Sequence, residues 1–199
     1  MRYSKIIVLL LLIITAGCSH RHRDEPGAKL NIVAAGVIMR DSLTRDGATG
    51  YLHYRQQLFT GTATRQYANG NLKEEVGYTA GIKDGRCRKY YDDGTLAYEC
   101  FYANGRKEGI AKAWWQNGNL RSESGFVDGN AHGVQKQWYQ SGALFKKMNL
   151  VDGKEEGMQQ AWRENGKLYN NYEARNGRVF GLKKAELCYE LSDEKLLGD

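Results

Sequence analysis

Four cysteines and four histidines carry most of the soft-ligand and nucleophile chemistry open to this chain of 199 residues. The cysteines stand at 18, 87, 100 and 188, and the histidines at 20, 22, 53 and 132. Clustered, such residues hold a metal ion or build a thiol nucleophile. One pair is spaced to act together. Cys87 and Cys100 close the stretch CRKYYDDGTLAYEC, symmetric about Asp93-Gly94. If Asp93-Gly94 is a two-residue hairpin turn, Cys87 faces Cys100 at a non-hydrogen-bonded site, where Cα atoms approach to about 4.5 Å. In an oxidising compartment the two then form a structural disulfide worth about 3 kcal/mol by chain entropy. A three-residue turn with a bulge would instead set Cys87 opposite Glu99.

The remaining candidates do not assemble a reaction centre. His20 and His22 lie in the polar stretch SHRHRDEPGAK and read as spacer, with metal binding the alternative. His132 precedes Gly133 in a column held elsewhere by Asp84, Glu108 and Glu156, so it reads as a turn residue. Glu75, Glu99 and Glu123 recur at a fixed step, which marks a fold feature rather than an acid–base pair. No Ser-His-Asp or Cys-His signature is present, and no glycine-rich turn leads into a helix that would cradle phosphate. No catalytic residue, metal ligand or cofactor is assigned. Cys188 reads as a buried strand residue, with intermolecular pairing or one soft-metal ligand as alternatives.

The elements that must position these residues begin after an export signal. Arg2 and Lys5 precede an apolar run, Ile6 to Ile14, too short to span a bilayer. Thr15-Ala16-Gly17-Cys18 resembles the lipobox of bacterial lipoproteins, which implies cleavage after residue 17 and acylation of Cys18. A plain secretory signal with an incidental cysteine is the competing reading. Ser19 beside the cysteine implies an outer-membrane address, facing the periplasm or the surface, where the cell has two membranes. Residues 18–29 form a tether at that lipid surface. Without Arg2 and Lys5 the chain keeps 27 basic and 23 acidic residues, net +4, with the signs interspersed. In an exported protein this balance argues for solubility rather than nucleic-acid binding.

Repetition is the strongest signal. Gly61, Gly85, Gly109, Gly133, Gly157 and Gly181 fall every 24 residues, and Leu72, Leu96, Leu120, Leu144 and Leu168 keep the same step. Each unit holds two turn signals. One series runs from Asn69-Gly70 and Asp93-Gly94 to Asn165-Gly166, the other from Ala80-Gly81 and Asn104-Gly105 to Asn176-Gly177. Both read as two-residue hairpin turns, joining runs rich in Tyr, Trp, Thr and Val. The expected fold is all-β: an antiparallel hairpin meander in a single-layer twisted sheet over residues 61–191. A degenerate capping unit precedes it at 30–60 and a frayed tail follows at 192–199.

Counting outward from two-residue turns sorts the faces. Tyr67, Tyr91, Trp115 and Tyr139 fall opposite the column leucines. Tyr78, Tyr102 and Phe126 fall on the same face, opposite Gly61, Gly85 and Gly109. The other face carries Tyr90, Trp114, Trp138 and Trp162, with Arg88 opposite Glu99 and Lys112 opposite Glu123. A single layer cannot hide both faces. The candidate binding surface is therefore Tyr90, Trp114, Trp138, Trp162, Arg88 and Lys112.

The units GRCRKYYDDGTLAYECFYANGRKE and GIAKAWWQNGNLRSESGFVDGNAH resemble the MORN repeat, most closely its bacterial variant, over residues 59 to 181. Bacterial chains of this form resemble the YwqK family, described as antitoxins or immunity proteins of toxin systems. The resemblance implies a non-enzymatic, surface-tethered protein-binding module whose partner is another protein, a cognate toxin in the immunity reading. A metal-handling or redox accessory lipoprotein using Cys188 and the tether histidines is the alternative.

Overall fold

The structure, a computed structural model, describes residues 32–182. The expected signal (1–17), tether (18–29) and tail (192–199), with Cys18 and Cys188, lie outside the described residues. Residues 32–182 form one open sheet of 16 strands, with no helix long and apolar enough to cross a membrane. The entry region supplies β1 (Ile32–Met39), a 3-10 turn (Arg40–Ser42), β2 (Thr44–Arg45) and β3 (Leu52–Tyr54). Three long hairpins follow: β4 (Gln57–Gln66) with β5 (Leu72–Thr79), β6 (Ile82–Tyr90) with β7 (Leu96–Ala103), and β8 (Arg106–Trp114) with β9 (Leu120–Val127). Later hairpins insert a two-residue strand ahead of the main one. These are β10 (Asn130–Ala131), β11 (Gly133–Trp138) and β12 (Leu144–Val151), then β13 (Lys154–Glu155), β14 (Gly157–Trp162) and β15 (Leu168–Arg175). β16 (Arg178–Leu182) pairs with β15 at the far edge.

From β2 to β16 every pairing is antiparallel. The exception is β1, which runs parallel to β4 and pairs Ile32 with Leu58 and Met39 with Thr64. A meander does not call for that strand. It covers the stretch of β4 that the short β3, paired only at Gln57 and Leu58, leaves open.

The two turn series differ. In the second, Ala80, Asn104, Asp128, Asp152 and Asn176 have φ of 48–50° and each is followed by a glycine at 73–86°. These are two-residue turns of type I′, as the Asn-Gly and Asp-Gly pairs require. In the first series only the glycine is left-handed, Gly94 at φ 88° for instance. Gly94 N–H donates to Tyr91 O at 3.0 Å and Tyr91 N–H to Thr95 O at 2.8 Å, enclosing three loop residues. The expectation of a two-residue turn is corrected here. The three-residue loop shifts the pairing by one, so Tyr90 faces Leu96. A bulge at Ala97 then shifts it back, and Lys89 faces Tyr98.

That pair of irregularities recurs in every unit and moves the leucines. Leu72, Leu96, Leu120, Leu144 and Leu168 face Gln66, Tyr90, Trp114, Trp138 and Trp162, not the Tyr67 column. The pairs of Gly61 with Tyr78, Gly85 with Tyr102 and Gly109 with Phe126 are as expected.

The apolar core sits at the entry end. Leu43, Leu52 and Phe59 pack with Ala63, Val76, Tyr78, Cys87, Cys100 and Ala111 on one face of β4–β8. Strand alternation puts the thiols on this face and the tryptophans on the other.

Candidate functional site

On the tryptophan face, the six residues expected to form a binding surface fall into two groups. Arg88 donates to Glu99 at 2.7 Å and reaches Glu75 at 3.4 Å, while the Tyr90 hydroxyl donates to Glu75 at 2.8 Å. Arg88 and Tyr90 thus close a network among themselves. Burial, then the hydrogen bond to Glu75, pushes the Tyr90 phenol up. Lys112 pairs with Glu123 at 3.3 Å. Trp114, Trp138 and Trp162 are half-buried, each facing its column leucine.

This face also carries exposed apolar side chains outside the expected surface. Ile110, Val134 and Met158 occupy one register position in successive hairpins and are 51%, 45% and 47% exposed. Phe101, Val127 and Val151 lie beside them, also exposed. Their signal was available: the residue after each column glycine runs Thr62, Arg86, Ile110, Val134, Met158, turning apolar from the third unit on. Between this row and the tryptophans runs a basic strip. Lys136 is paired in register with both Glu123 and Lys147, and Lys112 with Glu123. Two lysines directly opposite repel each other, a cost that an incoming carboxylate removes.

On the opposite face, Cys87 and Cys100 stand in register, 3% and 1% exposed, both as free thiols. The site class differs from expectation. Main-chain groups alternate sides along β6: Tyr91 bonds toward Thr95, and Tyr90 O turns the other way to accept the Tyr67 hydroxyl at 2.8 Å. Continuing, Lys89 and then Cys87 bond toward β7, so Cys87 and Cys100 form a hydrogen-bonded pair, with Cα atoms typically about 5.5 Å apart.

Cys87 lines a cavity of 270 Å³ with Glu74, Lys83, Lys89, Tyr98, Tyr102 and Lys107. Lys83 lies over the Tyr102 ring at 4.9 Å, and Lys107 over Tyr98 at 5.6 Å. Glu74, the one carboxylate lining it, is 3.7 Å from Lys89 and 3.9 Å from Arg65. The hydrogen bond between the thiols drives their acidities apart. It pushes Cys87 up, together with burial. It holds Cys100 down to about 6, with Tyr98, Lys107 and Lys83 adding to it and burial opposing. Burial, followed by neighbouring Cys100, pushes Tyr102 up to about 12.

Residues 59–80, 83–104, 107–128 and 131–152 match the MORN repeat variant. A search of curated proteins finds no match. The same hairpin geometry extends beyond the four matched segments. In β14 and β15 the Arg163–Gly166 bond at 2.9 Å closes the same three-residue loop, with Gly166 at φ 83°.

The MORN-type units are tied head to tail by one aromatic column. The hydroxyls of Tyr67, Tyr91 and Tyr139 donate to Tyr90 O, Trp114 O and Trp162 O at 2.8–2.9 Å, and Trp115 Nε1 donates to Trp138 O at 3.2 Å. Bulge residues cover these rings: Lys73 over Tyr67 at 5.1 Å, Arg121 over Trp115 at 4.9 Å, and Phe145 with centroid 5.0 Å from Tyr139. This column holds the sheet together.

His132 sits at the β10–β11 junction with Nδ1 3.6 Å from Asp152, and His53 lies on β3. Among the described residues no three His, Cys, Asp or Glu side chains converge to hold a metal ion.

Proposed function

We propose that the chain is a non-enzymatic, surface-tethered module that binds another protein, an immunity- or antitoxin-like lipoprotein anchored through Cys18. The exposed row of Ile110, Val134 and Met158 carries this reading, because a folded sheet gains nothing from leaving three such side chains aligned in water. Parallel to it run half-buried Trp114, Trp138 and Trp162, and Lys112, Lys136 and Lys147 lie between the two apolar rows. The partner that suits this face is a protein bringing carboxylates into the central strip and apolar side chains to its borders. A toxin-like reading frame beside the coding region would add weight to the immunity reading.

The test is capture from the cell envelope by the lipidated chain, followed by binding measurements with the partner so obtained. Ile110→Asp with Met158→Asp should weaken binding by at least about tenfold, as for central interface residues. Trp114→Ala with Trp138→Ala should weaken it too, and Lys136→Glu with Lys147→Glu should slow association. Arg65→Gln, on the thiol face, should leave it unchanged. A partner held equally by all of these variants would place the interface elsewhere. Palmitate labelling that survives Cys18→Ser would remove the lipid anchor.

A further inference from the structure

The thiol pair is built for exchange more than for stapling. In a hydrogen-bonded pair the Cβ atoms stand about 5.5 Å apart, whereas a relaxed disulfide holds them near 3.8 Å. Closing that gap strains the sheet, and strain makes the bond easier to reduce. The staple is also redundant, since the ladder already pairs Gly85 with Tyr102 and Lys89 with Tyr98 on either side.

The surroundings treat the two sulfurs differently. Cys87 lines the cavity, whereas Cys100 does not and is 1% exposed. Lys83, Lys89 and Lys107 line it against the single carboxylate of Glu74. We propose that Cys87 and Cys100 form a labile cross-strand disulfide that exchanges with low-molecular-weight thiols bearing carboxylates. The external thiolate enters the lysine-lined cavity and attacks Cys87 Sγ, and Cys100 is the leaving thiolate. The Cys87–Cys100 bond breaks as a bond from Cys87 to the external sulfur forms. A second external thiolate attacks the external sulfur of that mixed disulfide and releases Cys87, which takes up a proton. Two thiols are oxidised to one small disulfide, and the protein disulfide is reduced to two thiols. In reverse, Cys87 takes up one half of the small disulfide and Cys100 displaces it. The site lies on the face opposite the docking surface and stands independently of it.

The experiment uses the full chain carrying Cys18→Ser and Cys188→Ser, leaving only the pair. Air-oxidised protein is reduced at low salt by glutathione, by uncharged 2-mercaptoethanol and by cationic cysteamine, with each rate corrected for thiolate fraction. Glutathione should be fastest and cysteamine slowest. Lys83→Gln, Lys89→Gln and Lys107→Gln together should slow glutathione by about tenfold while leaving mercaptoethanol within about twofold. With Cys100→Ser, glutathione disulfide should leave a mixed disulfide on Cys87, seen by peptide mass. Equal rates for the three reductants would overturn the proposal. So would a pair that stays reduced in excess glutathione disulfide, or a mixed disulfide confined to Cys100 in the protein with both thiols.

Discussion

At one register position on the thiol face the successive hairpins carry Ala63, Cys87, Ala111, Gln135 and Gln159, all of them buried. The first three are small and apolar, the last two long and polar. At the entry end Leu43, Leu52 and Phe59 lie against this face, so a small side chain there completes a packed cluster. Further along, no such layer covers the sheet among the described residues, and the glutamines serve another purpose. Gln135 Nε2 donates to the carbonyls of Gly125, His132 and Gly133 at 3.1–3.3 Å, and Gln159 Nε2 to those of Asn149 and Gly157 at 2.8 and 3.3 Å. They add side-chain donors to carbonyls around the bulges before β11 and β14, where Gly125 O and Asn149 O also accept His132 N–H and Glu156 N–H at 2.9 and 3.0 Å. One repeat geometry is thus held by packing at its entry end and by side-chain-to-backbone hydrogen bonds beyond it.

The largest effect should come from removing the packing. Phe59 is fully buried, so Phe59→Ala should cost about 3–5 kcal/mol in denaturant unfolding. Because each repeat unit leans mainly on its neighbours, hydrogen exchange should rise first in β4–β7 and least in β14 and β15. A uniform rise would mean the two ends fold as one unit and would dissolve the distinction. Gln159→Ala is the matching blow to the other end. It removes the side-chain donor to Asn149 O, which keeps Glu156 N–H, and to Gly157 O, and should cost about 0.5–1.5 kcal/mol, with exchange rising in β14 and β15 alone.

The repeat was legible from sequence at both ends, its local detail at neither. Glycines kept in phase at 24 residues dictate reversals wherever they occur, so the hairpin order from Gly61 onward was legible. Loop length was not. Asp93-Gly94 suits either a two-residue turn or a three-residue loop, and no local residue separates them. Cys87 faces Cys100 only because the bulge at Ala97 offsets the longer loop, so the expected facing was right and its route was not. The same slip sent the leucines to the wrong aromatic column. The parallel strand β1 carried no periodic signal, and Gln135 and Gln159, though in phase at 24 residues, gave no sign in their sequence of burial against the backbone. Each answers a demand of its neighbours in space, an uncovered edge or carbonyls turned aside at a bulge.

The aromatic struts are common to both ends and should give intermediate, equal effects. Tyr91→Phe and Tyr139→Phe each delete one hydroxyl-to-carbonyl bond and should cost about 0.5–1.5 kcal/mol. A much larger value at Tyr139 would mean the later units depend on the strut more than on their glutamines. Smaller still is a gain at the entry end. Ala80 holds φ 48° where the equivalent turns of the later units place Asn or Asp, and Ala80→Asn should stabilise by up to about 1 kcal/mol.

The last contrast is electrostatic and lies in the turns. Two loops at the entry end use carboxylates, although the loop between β4 and β5 uses Asn69. Asp46 accepts from Thr49 N–H at 2.6 Å and from Ala48 N–H at 3.0 Å, and Asp93 accepts from the Thr95 hydroxyl and from Gln116. The equivalent loops beyond use uncharged Asn117, Ser141 and Asn165. The backbone and hydroxyl of Thr49 hold Asp46 below its usual 3.8, and the hydroxyl of Thr95 followed by Gln116 does the same for Asp93. A carboxyl depressed in the folded state contributes stability that is complete above 3.8 and disappears as pH falls through the folded value. Amide exchange corrected for its intrinsic pH dependence should therefore accelerate below about pH 4 at Ala48, Thr49 and Thr95, while Asn119 and Lys167 hold. Asp93→Asn should abolish the acid response at Thr95 and leave that at Thr49, because asparagine keeps the acceptor and loses the charge. If Asn119 and Lys167 loosened in step with Thr49 and Thr95, the acid response would belong to the whole sheet, and the chemistry of these loops would not distinguish its two ends.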